Sequence, residues 1–184
     1  HTFLYHMSQS PQDLERLQRF QDQHEWAAIQ RRFGKAPIQY SSSSWFAYLA
    51  GQNPGYPESS LNVTLEAIAW RLEAIANDDL DDAPSWNVHH WQRRDPVIPG
   101  PLAQQTMGAD WLYHGGLIQA RLRHFDPRQR RPGLPGNVGA LVEEMRPESV
   151  RLRLVNLDAD EGKDVLIQAG AFAEHAFVDV RPSG

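Results

Sequence analysis

The apolar residues of this chain change their spacing near the middle. Up to about residue 108 they recur at helical steps, and from about residue 117 they alternate as in strands. A chain built this way is expected to be α+β: an N-terminal helical layer of about three to four helices, then an antiparallel β-sheet or sandwich of about five strands. The boundary divides it into a helical region, residues 1–108, and a sandwich-like region, residues 109–184.

The helical signals are local and physical. Ser10-Pro11-Gln12-Asp13 starts a helix with a capping hydroxyl, a proline that suits the first turn and an early acid. Leu14, Leu17, Phe20 and Ala28 then share a stripe, and Gly34 is a suitable stop. Ser41 to Ser44 cap a short helix, Trp45 to Ala50, which is apolar nearly all round and therefore expected to be buried. After the turn Gln52 to Pro57 comes the clearest helix. Its residues Leu61, Leu65, Ile68, Leu72 and Ile75 follow steps of four and three, a continuous apolar face that has to lie on another layer. Asn77 to Asp82 ends it as an acidic, solvated loop without the pattern of a calcium-binding loop.

In the second half Leu117–Phe125, Val138–Met145, Val150–Leu157, Val165–Ala169 and His175–Val180 read as strands. Arg146-Pro147-Glu148-Ser149 closes a hairpin between the second and third. Alternation of apolar and charged residues is the mark of an antiparallel sheet with one wet face, and such a sheet needs a covering layer.

Composition removes several classes of function. The net charge of −5 is spread, with 8 Lys/Arg against 12 Asp/Glu in residues 1–100 and 10 against 11 in the rest, so there is no basic field for nucleic acid. Arg128, Arg130 and Arg131 form one local basic spot, read as solvated loop charge. The absence of cysteine rules out disulfides and thiolate chemistry and leaves the compartment open. No apolar run approaches the roughly 18 residues of a membrane helix. The start at His1, without Met or a signal-like layout, suggests a piece of something longer.

Four clusters could carry chemistry. Trp86 to Pro96 contains His89 and His90 between Trp86 and Trp91; neighbouring histidines point apart, so either would need His114 or His175 to make an acid/base or metal pair. The plainer reading is a connector anchored by its tryptophans. Trp111-Leu112-Tyr113-His114-Gly115-Gly116 joins aromatics to a flexible turn, suited to stacking on a sugar ring or to plugging a seam. Tyr5, His6 and Ser8 form the third cluster; a terminal His1 invites copper, but nothing around the other histidines supports it. The fourth is Glu174 beside His175 after Gly170, read as a corner between strands. The catalytic candidates are thus His89, His90, Tyr113 and His114, and the ligand-stacking candidates Trp86, Trp91 and Trp111. No metal site and no cofactor motif is present: there is no phosphate-binding loop, dinucleotide fingerprint or nucleophile elbow.

Several segments carry a resemblance. They are Gln52 to Asn77, His90-Trp91-Gln92 to Asp95-Pro96-Val97, Leu112 to Leu117, Phe125-Asp126-Pro127 to Pro135, Leu154 to Leu157 and Gln168 to Phe172. Their order resembles the C-terminal region of large bacterial proteins in which an (α/α) toroid precedes a β-sandwich, as in some glycoside hydrolases and polysaccharide lyases. The resemblance implies the last helices and the sandwich of such a protein; it covers no catalytic motif, so no residue inherits a role. Two functions follow as expectations. One is a structural or ligand-binding module of a carbohydrate-active protein, whose partner is the rest of the parent chain or another subunit and whose ligand is a carbohydrate. The other is part of a hydrolase or lyase, contributing His and Tyr groups at the helix–sheet seam. Paired carboxylates for glycoside hydrolysis would then have to lie elsewhere.

Overall fold

A computed structural model describes residues 1–21, 42–110 and 119–182. Helices come first and antiparallel sheets follow, so the protein is α+β. The helices are α1 (Thr2–Ser8), α2 (Pro11–Gln21), α3 (Ser42–Leu49), α4 (Tyr56–Ala76), α5 (Val88–Arg94) and α6 (Gly100–Met107), with a 3-10 turn at Leu80–Ser85. The strands are β1 (Leu122–Asp126), β2 (Arg131–Pro132), β3 (Val138–Arg146), β4 (Ser149–Asn156) and β5 (Leu166–Ala169). None of the described helices is long and apolar enough to cross a membrane. The chain divides into two compact units: residues 1–2 with 12–101, and residues 3–11 with 102 onward.

Helix α2 starts at Pro11 as its capping pattern predicts; in the first unit it buries Leu17, while Phe20 stays exposed against the His1 ring at 4.9 Å. The rest of that predicted helix, with Ala28 and Gly34, lies outside the described residues. The apolar helix expected at 45–50 forms over Ser42–Leu49 and buries Trp45, Phe46 and Ala47, with Ala50 exposed beyond it: Trp45 stacks on Tyr48 with centroids 5.5 Å apart and tilts against Tyr56 at 5.9 Å. Pro57 sits in the first turn of α4, and Asn77 closes it by donating its side-chain amide to the Glu73 carbonyl at 2.9 Å.

The face that α4 buries differs from the expected one. Tyr56, Ser60, Val63, Thr64, Ala67 and Arg71 are buried, and Val63 and Ala67 pack with Ile98 and the half-buried Ile68. The predicted stripe lies alongside: Leu65, Leu72 and Ile75 are 63%, 52% and 41% exposed. The buried row mixes small side chains with the large Tyr56 and Arg71, so it is a packed face of mixed polarity rather than the leucine row.

The second unit holds two sheets. β1 is the centre of a three-stranded antiparallel sheet, between β2 and β5, with Leu122 opposite Ala169 and Phe125 opposite Leu166. β3 and β4 form the expected hairpin, in register from Val138–Asn156 to Arg146–Ser149, with a bulge between Val142 and Glu144. Arg153 reaches Glu143 at 2.6 Å and Arg151 reaches Glu144 at 2.9 Å across it. Ala103, Ala109, Ala120 and Ala171 make a small-residue core. Gly108, at φ +60°, allows the close approach: a Cβ there would lie 3.3 Å from Arg121 Cβ.

Three strand expectations are corrected. The first strand begins at Leu122: the Arg121 N–H is diverted to the Met107 carbonyl at 2.9 Å, although the Arg121 carbonyl still accepts from Gly170 N at 2.8 Å. The segment of Arg128, Arg130 and Arg131, read as loop charge, contains the short β2, brought beside β1 by a turn in which Asp126 accepts from Arg128 N and Gln129 N, both at 3.0 Å. Residues 175–180 form no strand; Phe177, Val178 and Val180 are exposed.

Candidate functional site

The first unit brings part of the predicted Trp/His cluster together. Asn87 caps α5, accepting from His89 N at 2.9 Å and His90 N at 3.2 Å, so the expected connector contains a helical turn. That turn separates the histidines. His90 stacks on Trp86 with centroids 3.9 Å apart and directs Nε2 toward Asp78 Oδ2 at 3.4 Å, while exposed His89 meets the neighbouring Gln92 amide oxygen at 3.2 Å. Arg94 grips the same carboxylate with two bonds, Nε to Oδ2 at 2.8 Å and Nη2 to Oδ1 at 2.5 Å. That guanidinium, helped by His90, holds the Asp78 carboxyl below its usual range. Trp91 meets Trp86 edge-on at 5.0 Å and is 54% exposed.

The chemistry of this group is that of a fixed aromatic shelf. Asp78 is occupied in holding Arg94 and His90, His90 lies flat on an indole, and the face left to solvent is Trp91 with Val88. Such a shelf can stack on a ring. Trp111, Tyr113 and His114, the other candidates, lie outside the described residues. His175 is exposed, and Glu174 accepts from Phe172 N at 2.7 Å and Ala171 N at 3.1 Å, organising the corner. Those backbone donors, Phe172 N–H first, pull the Glu174 carboxyl below its ordinary value.

The second unit contains a buried polar cluster that the sequence did not mark. His6 on α1 is 1% exposed and donates Nε2–H to the Gln119 carbonyl at 3.0 Å. Arg121 donates Nη2–H to the His6 carbonyl at 2.8 Å. Asp110 is as buried as His6, and its charge and that of Arg121 both act on the His6 ring. On β1, buried His124 donates Nε2–H to the Thr106 carbonyl at 2.7 Å, pinning α6. His6 had been singled out with Tyr5 and Ser8; its partners lie more than a hundred residues along the chain.

Desolvation, the largest influence on both rings, lowers the pKa of His6 and of His124 below the ordinary 6.5. As pH falls, the unfolded chain therefore takes up these protons before the folded one does. The stabilisation is complete above 6.5 and is lost progressively as pH drops below 6.5 toward the lower folded values. We expect the urea midpoint of this unit to fall between about pH 7 and pH 5, and a His6→Gln/His124→Gln variant to show a flatter profile. A wild-type midpoint constant over that window would refute the assignment. Carboxylates such as Asp158, lowered to about 2 chiefly by Lys163, act in a separate, more acidic window.

A family model for a domain of unknown function, DUF8034, matches residues 1–103, more than half of the chain, and the protein belongs to that family. No curated protein and no solved structure matches it.

Proposed function

We propose that the protein is a structural module of a larger bacterial assembly, docking through α4 onto a helix of the same parent chain. The observation that carries this is the exposed stripe Leu65, Leu72 and Ile75, flanked by half-buried Leu61 and Ile68. Its steps of four and three are the seam of a helix pair, and a contiguous apolar row of this kind marks a contact surface. On a helical projection, Ala69 and Ala76 widen the stripe, Glu58 lies in line with Ala76 at its N-terminal end, and Glu66 and Glu73 border it on the side away from the unit core. Arg71, the only base in α4, is buried. The partner that fits is an amphipathic helix with a leucine-type seam and a Lys/Arg edge; a second copy of α4 would bring glutamates against glutamates. The resemblance to toroid proteins supports placing that helix in the parent chain.

The test is binding of a synthetic helical peptide with leucines at four-three steps and lysine edges, compared with the same peptide carrying glutamates. The lysine peptide is expected to bind, and Leu65→Glu/Leu72→Glu to abolish binding while changing stability by no more than about 0.5 kcal/mol per site. Equal binding of the glutamate peptide, wild-type dimerisation through this face, or unfolding of the double variant would each sink the proposal.

A second reading has one observation of its own. Exposed Trp91, braced by Trp86, supports a carbohydrate as the ligand of this module. Trp91→Ala should then remove retardation of the protein in polysaccharide-containing native gels.

A further inference from the structure

We infer that the buried cluster of the second unit is a binding site for a vicinal diol. Asp110 is 1% exposed, and among the described residues neither carboxylate oxygen meets a hydrogen-bond donor. The side-chain oxygen of Gln119 is likewise buried without a donor, and the Nε–H of Arg121 is buried without an acceptor. These groups share one neighbourhood: Gln119 and Arg121 are both bonded to His6, and the Asp110 charge reaches the same ring.

Buried polar atoms are nearly always satisfied, and a dry carboxylate without donors is among the least stable arrangements a core can hold. The shortage here has a definite sign. Three oxygens ask for donors and one guanidinium N–H asks for an acceptor. An ammonium would supply donors but would face the Arg121 charge; a carboxylate or phosphate would satisfy Arg121 but would face Asp110. Hydroxyl groups donate and accept without charge. Two adjacent hydroxyls match the two oxygens of one carboxylate, with a third contact to Gln119 and an accepted bond from Arg121. Arg121 as a residue is partly buried, while its Nε is fully buried.

Sugars and ribonucleosides both carry this group, so the test separates them. The intact chain is titrated with D-mannose, with adenosine, with deoxyadenosine, which lacks the diol, and with ethylammonium chloride, using saturation-transfer NMR. At least one diol probe is expected to bind, and whichever of mannose and adenosine binds identifies the source. Deoxyadenosine and ethylammonium are expected to bind about 10- to 100-fold more weakly than that probe or not at all. Asp110→Asn should weaken diol binding by a similar factor and leave the melting temperature unchanged or higher, because it removes a buried charge whose oxygens meet no hydrogen-bond donor among the described residues. Gln119→Leu should weaken binding in the same direction. The inference is overturned by absence of binding to either diol, by ethylammonium binding as well as the diols, by undiminished binding in Asp110→Asn, or by unfolding of that variant, which would make Asp110 a structural group.

Discussion

Replacing Trp45 by alanine is expected to destabilise the helical unit by about 3–5 kcal/mol, the largest effect of any single truncation described for this chain. Trp45 is fully buried in α3 and lies against both Tyr48 and Tyr56, so the vacated volume is walled by rigid rings that collapse poorly. Its indole N–H is buried and has no acceptor among the described residues. The indole therefore acts through shape and apolar area, not through a hydrogen bond. Trp45→Phe should accordingly lose much less, since it keeps a ring in the pocket and removes a donor that is unsatisfied. Urea denaturation followed by circular dichroism measures both. A Trp45→Ala loss under about 1 kcal/mol would show that the Trp–Tyr cluster is not the keystone of this unit.

The helix-to-strand order was legible because each half carries a period that only one kind of element satisfies. Local punctuation was legible too: Pro57, Asn77 and the Arg146–Ser149 turn stand where their chemistry puts them. Non-local choices were not. In α4 the four-three row is the most visible pattern, yet the unit buries the row of Ser60, Val63, Thr64, Ala67 and Arg71, whose composition does not announce a core. A hydrophobic row shows that a face requires cover; it does not say that the cover comes from the same unit. Alternation at 175–180 misled for a related reason, since no edge in the described sheets is paired with those residues. Of the Trp/His cluster, Trp86, His90 and Trp91 were visible because they lie within one turn or two. Asp78 was not, because the Arg94–Asp78 grip depends on where α4 ends. The His6, Asp110 and Arg121 neighbourhood joins α1 to a segment more than a hundred residues later, which no local signal encodes.

Arg71 tests that lesson directly. It is 2% exposed on the buried face of α4 and donates Nη1–H to the Asp95 carbonyl, tying the long helix to the chain just after α5. Truncation to alanine removes the aliphatic stem from the core and strands a backbone carbonyl that had a charged donor. The expected loss is about 3 kcal/mol, at the level of breaking a buried charged contact by deleting one partner. Arg71→Met separates the two contributions. The thioether chain refills most of the space the stem occupied but gives nothing to Asp95, so it should recover roughly half of the alanine loss if stem packing and the carbonyl bond matter comparably. Leu72, the next residue and the more hydrophobic one, should give the opposite ranking: Leu72→Ala is expected within about 0.5 kcal/mol of wild type because the side chain is 52% exposed. A urea series in which Leu72→Ala is the more damaging change would mean that the apolar row, not the mixed row containing Arg71, faces the core of this unit.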